Sequence, residues 1–224
     1  CEFPAENLRK RLGYTPSPSG TNLRYISFFD VPPVPDDTRS KQGIYPRPHT
    51  EEYGAAFLRD MLRLLEDFDD IVLVFKPKEN LSGEVFAYSS DYDSLVAKIE
   101  NNDRGLIVDG NINPWVPIAI ADVCIAMPFT SPPLAAMHYG NPGLFHDSTG
   151  IALQHEYHAI NLYITHDYGQ LEAKVRSVIS NNSRCNGNTE TIWAEAHEFI
   201  GDHPGTNSSD RFREILRDIA TQRE

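Results

Sequence analysis

Apolar residues along this chain cluster in short continuous runs, separated by polar segments rich in Pro, Gly and Asp. Leu23-Arg24-Tyr25-Ile26-Ser27-Phe28-Phe29 reads as a strand of aromatic and branched side chains. Ile71-Val72-Leu73-Val74-Phe75, Gly105-Leu106-Ile107-Val108, Val123-Cys124-Ile125-Ala126-Met127 and Pro142-Gly143-Leu144-Phe145 are apolar at consecutive rather than alternate positions. A strand covered on both faces has that signature, whereas a half-solvated strand alternates. Leu162-Tyr163-Ile164 is a shorter run of the same kind.

The segments between these runs carry helical spacing. Tyr53, Phe57, Leu58, Met61, Leu62 and Leu65 fall on one helical face. Thr50 precedes them as an N-cap, with Glu51 and Glu52 in the first turn, so a helix is predicted over 51–68. Further helices are predicted over 91–101, 117–121, 134–139, 168–180, 191–199 and 209–220, with Gly140 ending the fourth of this whole set. Strands alternating with helices predict an α/β fold, a Rossmann-like parallel sheet with helices on both faces. Residues 1–22 are polar and hold Pro16, Pro18 and Gly20; they read as an irregular lead-in or linker, and residues 23–224 as the domain. The stretch 31–48 holds five prolines and is long for a plain connection, so it is expected to cover a site or a partner surface.

Composition narrows the function classes. The 224 residues carry a formal net charge of −12, which argues against a nucleic-acid surface. No apolar run reaches the roughly 18 residues of a membrane span, and no apolar leader is visible. Three scattered cysteines, Cys1, Cys124 and Cys185, make neither a disulfide framework nor a zinc knuckle. A reducing, cytoplasmic setting is expected.

In parallel sheets of this kind ligands bind beyond the carboxyl ends of the strands, so the residues just after each apolar run are the candidates. Lys76 and Lys78 place two cations there, suited to a phosphate. Thr130-Ser131-Pro132 offers two hydroxyls, an N-cap at Ser131 and a proline at the first helical position; the N–H groups and dipole of such a turn attract anions. Asp109, Gly110 and Asn111 form a turn that can contact a base or ribose, and His146 and Asp147 can bind ribose, sugar or phosphate. Each feature has a plain structural alternative: a solvated lysine pair, a capped helix, a polar turn, an internally satisfied His–Asp pair. His155 and His158 stand three apart, not in the His-Glu-x-x-His spacing, and no third ligand is evident, so no metal is expected. Glu156 and Asp147 are the candidate catalytic carboxylates, although the pattern does not decide which residue, if either, is catalytic. The glycine-rich dinucleotide, P-loop and nucleophile-elbow motifs are missing from the sequence.

Several segments taken in order resemble a known family. Phe75-Lys76-Pro77-Lys78-Glu79 resembles the basic strand end of GT-B-type glycosyltransferases that use CDP- or CMP-linked donors, although many of those have His-Pro where this chain has Lys78-Glu79. Ala121-Asp122-Val123-Cys124-Ile125-Ala126 followed by Thr130-Ser131 is similar to their strand leading to paired hydroxyls. Leu134 to Phe145 is similar to the helix and strand that follow, and Phe199-Ile200-Gly201-Asp202 with residues 208–219 to their closing helices. The resemblance spans residues 23–220 and includes capsule and surface polysaccharide transferases and the glycerophosphate transferases of wall teichoic acid synthesis. It implies one half of a GT-B fold, the nucleotide-donor domain, acting in surface polysaccharide synthesis. It implies that Thr130 and Ser131 hold donor phosphate with help from Lys76 and Lys78, and that no cofactor is needed. The implied partners are a CMP-, CDP- or UDP-linked sugar and a glycan acceptor, within a membrane-associated assembly formed through other regions. Only one such domain fits in this length, so the acceptor half is expected to lie elsewhere. A nucleotide-sugar epimerase and a non-catalytic module that binds nucleotide or a partner protein are the rival readings.

Overall fold

The computed structural model describes residues 23–31, 33, 50–78, 90–128, 130–138, 140–150 and 163–180. The expected lead-in, most of the proline-rich stretch, His155, Glu156, His158 and the helices expected over 191–199 and 209–220 lie outside the described residues.

Six strands form one sheet: β1 (Arg24–Phe29), β2 (Ile71–Lys76), β3 (Gly105–Ile107), β4 (Val123–Ala126), β5 (Gly143–His146) and β6 (Ile164–Thr165). All pair in parallel, in the order β3-β2-β1-β4-β5-β6. Among the described residues five helices accompany them: α1 (Glu51–Asp67), α2 (Ser90–Glu100), α3 (Trp115–Ile120), α4 (Pro132–His138) and α5 (Tyr168–Ser180). The α/β architecture expected from the alternating runs is therefore the one observed.

Side-chain alternation in the strands sorts the helices onto the two faces. Ile26, Phe28, Leu73, Phe75 and Ile125 point to one side and pack with α1, α2 and α5. Tyr25, Val72 and Val74 point to the other, against Val108 and Ile120; Phe29, Cys124 and Ala126 meet Ile118 of α3 and Ala136 of α4. The buried Ser27 hydroxyl donates to the Pro117 carbonyl at 2.6 Å, tying α3 to the sheet centre.

Helix α1 shows which force sets its position. The Thr50 side chain accepts from the Tyr53 N–H, a cap contributing about 1 kcal/mol. Phe57, Leu58, Met61 and Leu64 are fully buried, at ~2 kcal/mol each, so burial outweighs the cap. At the other end the Arg104 guanidinium donates to the Leu65 and Phe68 carbonyls, left over where α1 stops, and to the Ile71 carbonyl at the start of β2. Arg104→Ala is expected to lower stability by about 1–2 kcal/mol, measured by urea unfolding, with Arg104→Lys recovering only part. An unchanged midpoint would assign those carbonyls to solvent.

Candidate functional site

The strand order turns back at β1. Chain connections run outward from β1 through β2 to β3, and in the other direction from β4 through β5 to β6. The carboxyl ends of β1 and β4 flank the crevice where such a sheet takes its ligand. From β1 comes Asp30; from β4 comes Met127-Pro128, followed by Thr130 and Ser131. The two ends touch, the Val31 N–H approaching the Met127 side-chain sulfur at 3.3 Å.

Asp30 is 3% exposed and is the charged centre of this edge. Its carboxylate accepts from the Tyr92 hydroxyl in the first turn of α2 and from the Lys78 N–H at 3.2 Å. Burial is the largest influence and pushes its pKa up from the ordinary carboxylate value; the two hydrogen bonds and the charge of Lys76 pull the other way. The sequence reading passed over Asp30. The signal was present: Asp30 directly follows the run Tyr25–Phe29, as Lys76, Asp109 and Thr130 follow or close theirs.

Lys76 occupies a different place from the one its sequence position suggested. It is 4% exposed, and its ammonium donates to the Pro77 carbonyl at 2.8 Å and the Gly110 carbonyl at 2.7 Å. The cation thus fastens the turns after β2 and β3 to each other. Lys78 is exposed. Asp109 and Asn111 are exposed too, and the Asp109 carboxylate accepts from the Asn111 N–H at 2.7 Å, closing a tight turn that presents both at the surface.

At β4 the two hydroxyls divide their roles. Thr130 donates its hydroxyl to the Met127 carbonyl at 2.7 Å, so that proton shapes the turn. Ser131 is exposed, and its carbonyl accepts from the Ala135 N–H at 2.9 Å, the N-cap position. Helix α4 spans seven residues, and its first two, Pro132 and Pro133, have no N–H. The bouquet of backbone donors expected at this turn is correspondingly reduced, which leaves the Ser131 side chain as the exposed donor.

His146 and Asp147 close β5, and both are fully buried. His146 Nδ1 lies 2.8 Å from the Thr165 hydroxyl and Nε2 lies 2.9 Å from the Asp60 carboxylate, so both ring nitrogens are engaged within the fold. The histidine links β5, β6 and α1. Asp147 Oδ1 accepts from the Thr149 N–H at 3.2 Å, the Thr149 hydroxyl at 3.2 Å and the Gly150 N–H at 3.0 Å. A cavity of about 490 Å³ lies between α1 and α2, lined by Arg59, Leu62, Arg63, Leu95 and Lys98; it belongs to the far halves of those helices, away from the strand ends.

A family model described as "Polysaccharide biosynthesis PFTS motif protein" matches residues 15–175. The chain belongs to that family. Residues 128–131 read Pro-Phe-Thr-Ser, the letters of the PFTS motif, and the described ones, Pro128, Thr130 and Ser131, follow directly on β4. Among solved structures, one described as "S. aureus MnaA-UDP co-structure" is similar at 10% identity and a TM-score of 0.45, over 77% of this chain and 39% of that one. This PFTS-family chain thus spans under half the length of that neighbour. No curated protein matches the sequence. No described helix is long and apolar enough to cross a membrane.

Proposed function

We propose that this domain binds a nucleotide-activated sugar at the carboxyl edge of its sheet, and serves as the donor half of a glycosyltransferase in surface polysaccharide synthesis. The observation that carries the reading is the position of the PFTS turn, at the end of β4 on one wall of the switch point, in a chain of a polysaccharide-biosynthesis family. Ser131 and Lys78, both exposed, would hold the donor phosphates; Asp109 and Asn111 would reach the nucleoside. Lys76 would act by holding together the two turns that carry Lys78 and Asn111. Negative charge developing on the departing nucleotide would be met by the Ser131 hydroxyl and the Lys78 ammonium.

The test is calorimetric titration with CMP, CDP, UDP and GDP. One nucleotide is expected to bind selectively, and Ser131→Ala to weaken it about tenfold, the ~1.4 kcal/mol of a hydrogen bond to a charged group. Selective binding untouched by both Ser131→Ala and Lys78→Ala would remove the PFTS turn from the site. Turnover of the donor without any acceptor would turn the assignment to an epimerase-like reaction.

A further inference from the structure

Asp30 sits where its surroundings can move little. Phe29 before it pairs with Lys76 across the β1–β2 ladder, and the Val31 N–H after it meets the Met127 sulfur. One carboxylate oxygen, Oδ2, accepts from the Tyr92 hydroxyl; the other, Oδ1, accepts from the Lys78 N–H at 3.2 Å. Tyr92 is itself fully buried, and a Cβ at Gly54 of α1 would stand 3.5 Å from two carbons of its ring, so the ring lies close against α1. Through one side chain Asp30 therefore joins β1, α2 and the turn after β2.

Stability alone does not ask for such an arrangement. A buried charge needs hydrogen bonds and a countercharge merely to recover what it loses on leaving water, and a well-packed apolar residue often does as well or better. Its use lies in what it places. At 3% exposure and with both oxygens engaged, the Asp30 carboxylate is not offered to a ligand. Lys78 is where this network meets solvent: its N–H is bonded inward to Asp30, while the residue is exposed. Two clamps bear on the turn after β2. Lys76 holds it on the β3 side, through the Pro77 and Gly110 carbonyls, and Asp30 holds it on the β1 side. The second acts on Lys78 itself.

We propose that Asp30 is the positioning residue for Lys78, its carboxylate fixing the Lys78 backbone beside the crevice and so setting where that ammonium meets a donor phosphate. The role rests on the donor-binding reading, in which Lys78 holds phosphate. A lysine carries a compact charge on a long flexible stem, so its reach is only as well defined as the backbone it swings from. Asparagine at position 30 keeps an oxygen for the Lys78 N–H and loses the charge; alanine loses both. The two substitutions separate positioning through the hydrogen bond from direct action of the carboxylate.

The experiment is calorimetric titration of the full chain with whichever of CMP, CDP, UDP and GDP the wild type selects. It is repeated for Asp30→Ala, Asp30→Asn, Lys78→Ala and the Asp30→Ala/Lys78→Ala pair. Asp30→Ala is expected to weaken binding about tenfold, Asp30→Asn by less than about threefold, and Asp30→Ala to add nothing once Lys78 is replaced. Loss by the same factor in both backgrounds would overturn the proposal, because it marks a general effect on the fold. So would a loss in Asp30→Asn equal to that in Asp30→Ala. Amide exchange followed by NMR needs no ligand and covers the case in which Asp30→Ala does not fold. In wild type and Asp30→Asn the Lys78 N–H is expected to exchange at least about tenfold more slowly than an open-chain amide. Exchange at the open-chain rate in wild type would overturn the proposal. Selective binding that Lys78→Ala weakens and Asp30→Ala leaves intact would sink the positioning role and keep the donor reading. A protected Lys78 amide in a wild type that binds no nucleotide would sink the donor reading and the role together.

Discussion

Gly143→Ala is expected to destabilise the protein by about 3 kcal/mol and to lower its melting temperature by roughly 10 °C. A Cβ at Gly143 would stand 2.2 Å from the Pro133 carbonyl oxygen, 2.8 Å from its carbon and 2.9 Å from the Pro133 Cα. All three are backbone atoms, and neither side can yield cheaply. Pro133 sits in the first turn of α4 with its φ locked by the ring. Gly143 opens β5, which is held to β4 by the Cys124 N–H donating to the Pro142 carbonyl at 2.9 Å. Overpacking of this kind moves whole elements. Because α4 begins directly after Ser131, the same variant should also lose nucleotide affinity. Gly140→Ala is the control: nothing lies within 4 Å of its would-be Cβ, and only its φ of +78° opposes the change, a penalty of about 1 kcal/mol. Equal melting of Gly143→Ala and wild type would mean that α4 does not approach β5 as closely as described.

Asp30→Ala should be about as damaging. It leaves the buried Tyr92 hydroxyl and the Lys78 N–H without their acceptor and takes a countercharge from the buried Lys76, a loss of about 3 kcal/mol. Asp30→Asn separates shape from charge. Burial raises the Asp30 pKa above its ordinary 3.8, so the folded protein holds this proton more tightly than the unfolded chain. The stability tied to that proton is fully present below the unfolded value and is lost as pH rises through the higher folded value. Wild type should therefore gain on Asp30→Asn as pH falls from 7 toward 4. Urea midpoints of the two proteins across that range measure the difference, and a gap that narrows on acidification would contradict the burial argument.

Much of this architecture could be read from residue pattern, for physical reasons that differ between elements. The run Ile71–Phe75 is apolar at every position because both of its faces are covered, and the strand found there extends by one residue to Lys76. Thr50, Glu51 and the spacing from Tyr53 to Leu65 placed α1 within a residue of its observed end. The order of strands was not legible, since nothing local records that β1 pairs with both β2 and β4. The site was legible only as a set of positions along the edge. Lys76 reads as a free cation until the Gly110 carbonyl, 34 residues on, is seen to be within reach. Asp30 was hidden by its neighbours, an aromatic strand before it and a proline-rich stretch after.

The turn-back of strand order at β1 also bears on how the crevice comes into being. Its two walls belong to separate stretches of chain, joined where β1 lies against β4 and where the Tyr25 N–H donates to the Asp122 carboxylate 97 residues away. Contacts so distant in sequence carry a larger loop-closure cost than those within either stretch. Neither stretch has a crevice by itself. Whatever lodges there acts as a rivet between the two, and its binding free energy is added to the docking of one half of the sheet on the other.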